Sequence, residues 1–326
     1  MQAEPVDALV IGSINLDYRF KVSELPVAGV TTRAETDRIE VGGKGVNQAR
    51  ALKRFGVDAR LVAAVGKDAE GDQAAQALVG EGIRHHLFRA VGRTGRVIIT
   101  IDPRGQNLLI IDPGANQWLP AEAVLEIVAE FSGPILLQME MEKDLLERLL
   151  TQVDPARQRV FLDGGPILLA NFHLFRKTFV FSPNLGELSI LFGQQILDSE
   201  DLLRAIAMLQ NLGVRRTVVK LGELGAAYCV DADAVWMVPA YTVPAVDTTG
   251  AGDCFMGVLA YGIERGQDWL TAVQLANAAA ALSTTKLGVS ASFPGLEETL
   301  AFQRSTPAPA PIRVLPGLHL SIKGAV

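Results

Sequence analysis

The chain has 326 residues, 49% of them hydrophobic, and 30 basic against 36 acidic side chains leave a net charge of −6. That is enough apolar material for one large α/β domain or two smaller ones. The acidic balance argues against a nucleic-acid or membrane-surface partner, and no apolar stretch reaches bilayer length. The two cysteines, Cys229 and Cys254, have no metal-ligand spacing, and the polar start from Met1 to Asp7 lacks a basic-then-apolar leader. Together these features predict a cytoplasmic protein in a reducing compartment.

In chain order, short apolar runs at 8–11, 59–65, 135–139, 160–162, 179–181 and 217–221 predict strands buried on both faces. Helical patterns at 44–55, 71–78, 121–130, 143–150, 200–212, 253–264 and 269–286 lie between or after them. Such alternation predicts an α/β fold: an open, mostly parallel sheet with helices on both faces and ligands at the carboxyl ends of its strands. Two regions break the rhythm. Residues 17–22 with 31–41, and 95–101 with 108–112, have strand character and no intervening helix, which predicts antiparallel hairpins with turn chemistry at 102–105. The Pro-rich run opening the 305–326 tail favours extended chain, so the predicted division is a domain over 1–304 and a tail.

Three glycine-rich or polar motifs stand out. Gly12-Ser13-Ile14-Asn15-Leu16-Asp17 follows the first strand, and Asn15 and Asp17 share a face if the chain is extended. An amide and a carboxylate together suit a polyol, although both residues are equally common in turns. Gly42-Gly43-Lys44-Gly45-Val46-Asn47 leads into a helix; its glycines would let backbone approach a ligand. Thr249-Gly250-Ala251-Gly252-Asp253 opens another, where free amides at the positive end of a helix dipole suit an anion and a carboxylate suits a general base. Taken alone, that loop reads about as well as an ordinary helix start.

The two glycine-rich motifs in this order and separation give the chain a resemblance, over about residues 7–294, to the ribokinase-like sugar kinases (the phosphofructokinase-B family), nearest its ribose-phosphorylating members. The resemblance implies a small β-sheet lid from about 17–41 and 95–112, often used for homodimerisation. It implies ATP-dependent phosphorylation of a sugar's primary hydroxyl, with Asp253 as base and Gly250, Ala251 and Gly252 shaping the anion hole. Asn15, Asp17, Gly42, Gly43, Lys44, Asn47 and Glu140 are then the sugar-side residues, and those carried over as ribose contacts have the ribokinase residue types. On the nucleotide side it implies Asn184, Lys220, Gly222, Gly225 and Asn277, with Glu187 attending Mg²⁺ mostly through water. On their own, Asn184 and Glu187 read as a helix cap. A monovalent cation, K⁺, is implied beside Asp247, Thr249, Ser283, Lys286, Gly288 and Ser292, several of them through backbone carbonyls, with the Asp247 side chain the informative one. No Walker-type phosphate loop occurs. Rival readings are another sugar, a sugar phosphate or a nucleoside as substrate, and a catalytically silent sugar-binding regulator. Silent relatives should lose the base or an anion-hole glycine, and here both survive.

Overall fold

A computed structural model describes residues 7–318 apart from 105 and 168–171. The turn residue Gly105, the first six residues and the end of the tail lie outside the described residues. The first half of the chain runs β1 (Asp7–Ile11), β2 (Asn15–Val22), β3 (Ala34–Gly42), α1 (Lys44–Arg54), β4 (Asp58–Gly66), α2 (Ala69–Gly80), β5 (Arg84–Ala90), β6 (Gly95–Ile101), β7 (Asn107–Asp112), α3 (Ala121–Glu130), β8 (Gly133–Leu137), α4 (Lys143–Gln152) and β9 (Gln158–Asp163). The second half runs β10 (Val180–Ser182), α5 (Leu185–Phe192), α6 (Ser199–Asn211), β11 (Arg216–Lys220), β12 (Ala226–Val230), β13 (Trp236–Val238), α7 (Ala251–Glu264), α8 (Trp269–Ser283), α9 (Leu296–Ser305) and β14 (Ile312–Arg313).

The large sheet has ten strands in the order β14-β13-β12-β11-β10-β9-β8-β1-β4-β5. From β5 to β11 every neighbouring pair is parallel, and β12, β13 and β14 extend the edge antiparallel. The period-2 rule explains the continuous apolar strands: Leu9 and Ile11 enter one core, Ala8 and Val10 the other. The first core packs side chains of α3, α4, α5 and α6, the second those of α1, α2, α7 and α8. The chain crosses from β1 to β4 and β5, then returns to β8 on the other side of β1. That reversal opens a crevice at the carboxyl ends of β1 and β8, where ligands bind in open α/β sheets.

The two predicted hairpins form, as β2 with β3 and β6 with β7, and β2 pairs with β6 in parallel to join them into one four-stranded sheet. Five elements escape the sequence pattern: β5, rich in charged and histidine residues, the antiparallel strands β12 and β13, and helices α5 and α9. Edge strands and short helices bury too little to imprint a clear period. The tail contributes β14, which pairs Ile312 with Met237, and it buries Val314 beside Val235.

Helices α1 and α7 touch closely because Gly257 lacks a side chain: a Cβ there would lie 2.7 Å from Ala51 Cβ and 3.1 Å from Gln48 O. This contact sets the distance between the N-terminal turns of the two helices. Gly257→Val should therefore destabilise the protein by about 1–3 kcal/mol through overpacking, measured by urea unfolding. An unchanged midpoint would show that the helices separate freely.

Candidate active site

The crevice floor is built from the ends of β1 and β8. Ser13, just past β1, donates its hydroxyl to Glu140, which follows β8 and also accepts the Lys44 amide at 3.4 Å. Asn116, buried, accepts from the Ile14 amide at 2.9 Å and donates to Asn15 Oδ1 at 2.8 Å. Asn15 Oδ1 is thereby the acceptor, and its Nδ2 remains the donor end. Gly43 caps α1 with φ of 98°, and a Cβ there would lie 2.8 Å from Ser13 O. Only glycine meets both demands. A Cβ on neighbouring Gly42 would overlap the Asp17 carboxylate.

Asp17 faces this crevice as a strongly perturbed group. Burial, aided by the negative charges of Glu140, Glu40 and Asp253, raises its pKa from 3.8 to about 7. Its Oδ1 is buried and has no protein partner, which is the condition of a group kept for a ligand hydroxyl. Burial also raises the Glu140 pKa despite nearby Lys44.

Asp253 sits in the first turn of α7 behind Gly250, whose φ of 76° turns the chain into the helix. Ala251 and Asp253 direct their amides back to Thr248 and Gly250 at 3.2 and 3.0 Å. The Asp253 carboxylate accepts from Asn47 Nδ2 at 2.9 Å and faces Lys44 Nζ at 3.4 Å. Arg50, 1% exposed, donates to Asn47 Oδ1 at 3.0 Å and so fixes which end of that amide meets Asp253.

Lys44 Nζ also lies 3.1 Å from Asp163, which Lys220 approaches from the other side at 2.7 Å. Burial alone would lower the Lys44 pKa, but Asp163 and Asp253 hold it well above the ordinary lysine value. Burial opposes ionisation of Asp163 too, and the two lysines keep its pKa below the usual range. Sequence reasoning missed Asp163, although a carboxylate ending a buried strand, ahead of Gly164-Gly165-Pro166, was a legible signal.

The residues expected on the nucleotide side lie along one strip. Asn184 bridges to Lys220, which opens the turn carrying Gly222 and Gly225. Lys220 also lies beside Gly252, where a Cβ would come within 3.7 Å of its Cδ. Gly225 packs on the Val238 carbonyl, and that carbonyl accepts from Asn277 Nδ2 at 2.9 Å. Asn184 and Glu187 form a reciprocal capping box at the start of α5, so the helix-cap reading of this pair is realised. Glu187 faces Gly164 and Gly165, on the same side as Lys44.

Of the residues expected around a monovalent cation, Asp247, Thr249 and Gly288 come together. Asp247 Oδ1 accepts from the Thr249 amide at 3.1 Å and hydroxyl at 2.7 Å, and Oδ2 from the Gly288 amide at 3.1 Å. Ser283 and Ser292 spend their hydroxyls on the Ala280 and Val289 carbonyls, while Lys286 pairs with Glu298. Arg19 of β2, which sequence reasoning did not assign to this site, donates to Asp247 Oδ2.

This architecture defines a class. The pattern of the pfkB family carbohydrate kinases matches residues 7–295, and the chain belongs to that family. It is a ribokinase-like sugar kinase, a phosphotransferase with an alcohol acceptor. The chain is similar to the ribokinase of Arabidopsis thaliana, 34% identical over 304 residues, 90% of this chain and 79% of the relative. A Salmonella typhimurium deoxyribokinase is 31% identical over 299 residues, 90% of this chain and 97% of that one. The structure of Arabidopsis thaliana ribokinase complexed with ribose and ATP superposes with a TM-score of 0.82 at 31% identity, covering 91% of this chain and 98% of that one. Among the described residues no helix is long and apolar enough to cross a membrane.

The raised Asp17 pKa has a testable sign. The folded chain holds this proton more tightly than the unfolded chain, so stability falls as pH climbs from the carboxylate range through about 7. Asp17→Asn should raise the Tm of ligand-free protein more at about pH 8 than at about pH 5, read by differential scanning fluorimetry. The reverse order would mean that Asp17 is ionised and stabilised in the fold.

Proposed function

We propose that the chain transfers the γ-phosphoryl group of ATP to the primary hydroxyl of ribose. The observation that carries this reading is the convergence of Asp253, Asn47, Lys44, Glu140, Asn15 and Asp17 on one crevice. The hydroxyl oxygen attacks the γ-phosphorus, its proton passes to Asp253, and the bond to the β-phosphate oxygen breaks to release ADP. Lys44 and Lys220 supply positive charge in an otherwise acidic protein, and the α7 N-terminus faces the transferring group. Asn15 and Asp17 hold sugar hydroxyls from β2, and the small sheet acts as a lid that excludes water.

Mg²⁺ fits through its waters: each Glu187 oxygen accepts one hydrogen bond from Asn184 and keeps a lone pair for the ion's water shell beside the Gly164-Gly165 turn. When bound, it neutralises charge on the nucleotide phosphates. A monovalent cation on the Asp247 carboxylate does not fit, because two hydrogen bonds to each oxygen, one of them from a guanidinium, already fill its acceptor positions.

Deoxyribose is the second reading, favoured by the similarity to a deoxyribokinase. The discriminating assay is ADP release from ATP and Mg²⁺ over ribose, deoxyribose, fructose, fructose phosphates, adenosine and pseudouridine. Ribose should give the highest kcat/KM; a preference for another compound moves the substrate and keeps the mechanism. Silence with every compound while sugar still binds would point to a regulator. Asp253→Asn should keep sugar binding and lower kcat by about 10²–10⁴-fold; turnover near the wild-type value would remove Asp253 from the role of base.

We also propose that two copies pair through the lid. Ile39, Ile98 and Ile110 line one face of the sheet, Leu109 and Ile111 the other; each is at least 40% exposed, on a sheet whose edge strand is open. Light scattering should give twice the chain mass, and Ile98→Lys with Ile110→Lys should give the single mass. A wild-type monomer at micromolar concentration would end the proposal.

A further inference from the structure

We propose that Arg19 is a built-in cation that takes the place of a monovalent metal ion beside the anion loop, so that catalysis by this chain needs no K⁺. Asp247 lies three residues before Gly250, and its side chain is only 5% exposed. A carboxylate so buried requires a compensating positive charge. Its two oxygens offer about four acceptor positions. Thr249 fills two with its amide and hydroxyl, Gly288 a third with its amide, and the Arg19 guanidinium completes the set.

Arg19 is itself well placed to stay there. Its side chain is 13% exposed, and its Nε lies 3.3 Å from Asp37 on β3. The carboxylates on either side thus hold the guanidinium in one orientation, which suits arginine's planar fork better than lysine's flexible stem. The segment around Gly288 abuts the same strand, since a Cβ at Gly288 would meet the Glu40 and Arg38 side chains.

Arg19 therefore does more than balance a charge. β2 also carries Asn15 and Asp17, and Asp247 belongs to the turn that delivers Gly250 and Asp253. The pair ties the sugar-side strand to the anion loop, which makes Arg19 a positioning residue. A metal ion held at Asp247 would serve the loop without tying it to the lid. The inference rests on the chain being a sugar kinase but not on which sugar it takes.

The test compares wild type, Arg19→Met and Arg19→Lys in KCl and in choline chloride at equal ionic strength, by Tm and by turnover with the best substrate of the panel. Wild type should show the same Tm and turnover in both salts. Arg19→Met, which keeps length and loses charge, should lose about tenfold in kcat in choline chloride and regain much of it in KCl, because the loop is displaced without its cation. It should also gain a K⁺-specific rise in Tm by mass action. Arg19→Lys should keep an ammonium near Asp247 and respond to K⁺ less than the methionine variant. A K⁺-specific gain in wild-type Tm or turnover overturns the proposal, and so does an Arg19→Met enzyme of full activity that ignores K⁺. If Arg19→Met does not fold, the wild-type and Arg19→Lys comparisons decide it. The Tm arm does so even if no sugar in the panel is phosphorylated.

Discussion

The site depends on one half-buried ammonium. Lys44 Nζ lies between Asp163 and Asp253, which reach it from the end of β9 and the start of α7. A charge removed from water must be paired, so this one group fixes the relative positions of α1, β9 and α7. Lys220 joins from β11 and shares Asp163. Two ammonium groups thus share one fully buried carboxylate, which concentrates cationic side chains at this point of a chain whose overall charge is −6. These charges meet where solvent screens them least, so their mutual positions matter more than the overall charge.

Backbone without side chains does the complementary work. At Gly43 the chain turns with positive φ against Ser13, so α1 begins at the crevice and presents Lys44 and Asn47 to it. Gly257 lets α7 approach α1, which brings Asp253 within hydrogen-bonding distance of Asn47. Around this contact the polar side chains orient one another: Arg50 sets the Asn47 amide, and Asn116 sets that of Asn15. Each amide then shows one defined end to its neighbour. That polar preorganisation is what a reaction resting on positioning and electrostatics requires.

The small sheet is coupled to this core at two levels. β2 leaves β1 by only a short link, so Asn15 and Asp17 belong to both the sheet and the crevice. Arg19, two residues further, reaches across to the loop before α7. Alternation along β2 puts Asn15, Asp17 and Arg19 on one face. A strand held along its two edges by β3 and β6 therefore carries three polar side chains on one face. Movement of the sheet and geometry of the anion loop cannot vary independently while that pair holds.

Much of this was legible from residues alone. The apolar strands bear their signal because each is buried on both faces, and the helices between them because one stripe faces a core. The glycine motifs were legible because close approach and positive φ admit few other residues. What escaped was of two kinds. β5, β12 and β13 lie at or near the edges, where burial imprints less period. Asp163, Arg50 and Arg19 are charged residues whose roles come from partners 57 to 119, 31 and 228 positions away in sequence, or from a neighbour one turn along whose orientation they set. The sequence by itself determined the layered α/β fold and the glycine-framed ends of two helices, because local sterics and periodic burial act within a few residues. Only the tertiary structure decided which charge meets which, since Coulombic pairing and desolvation depend on distances that the chain creates when it folds.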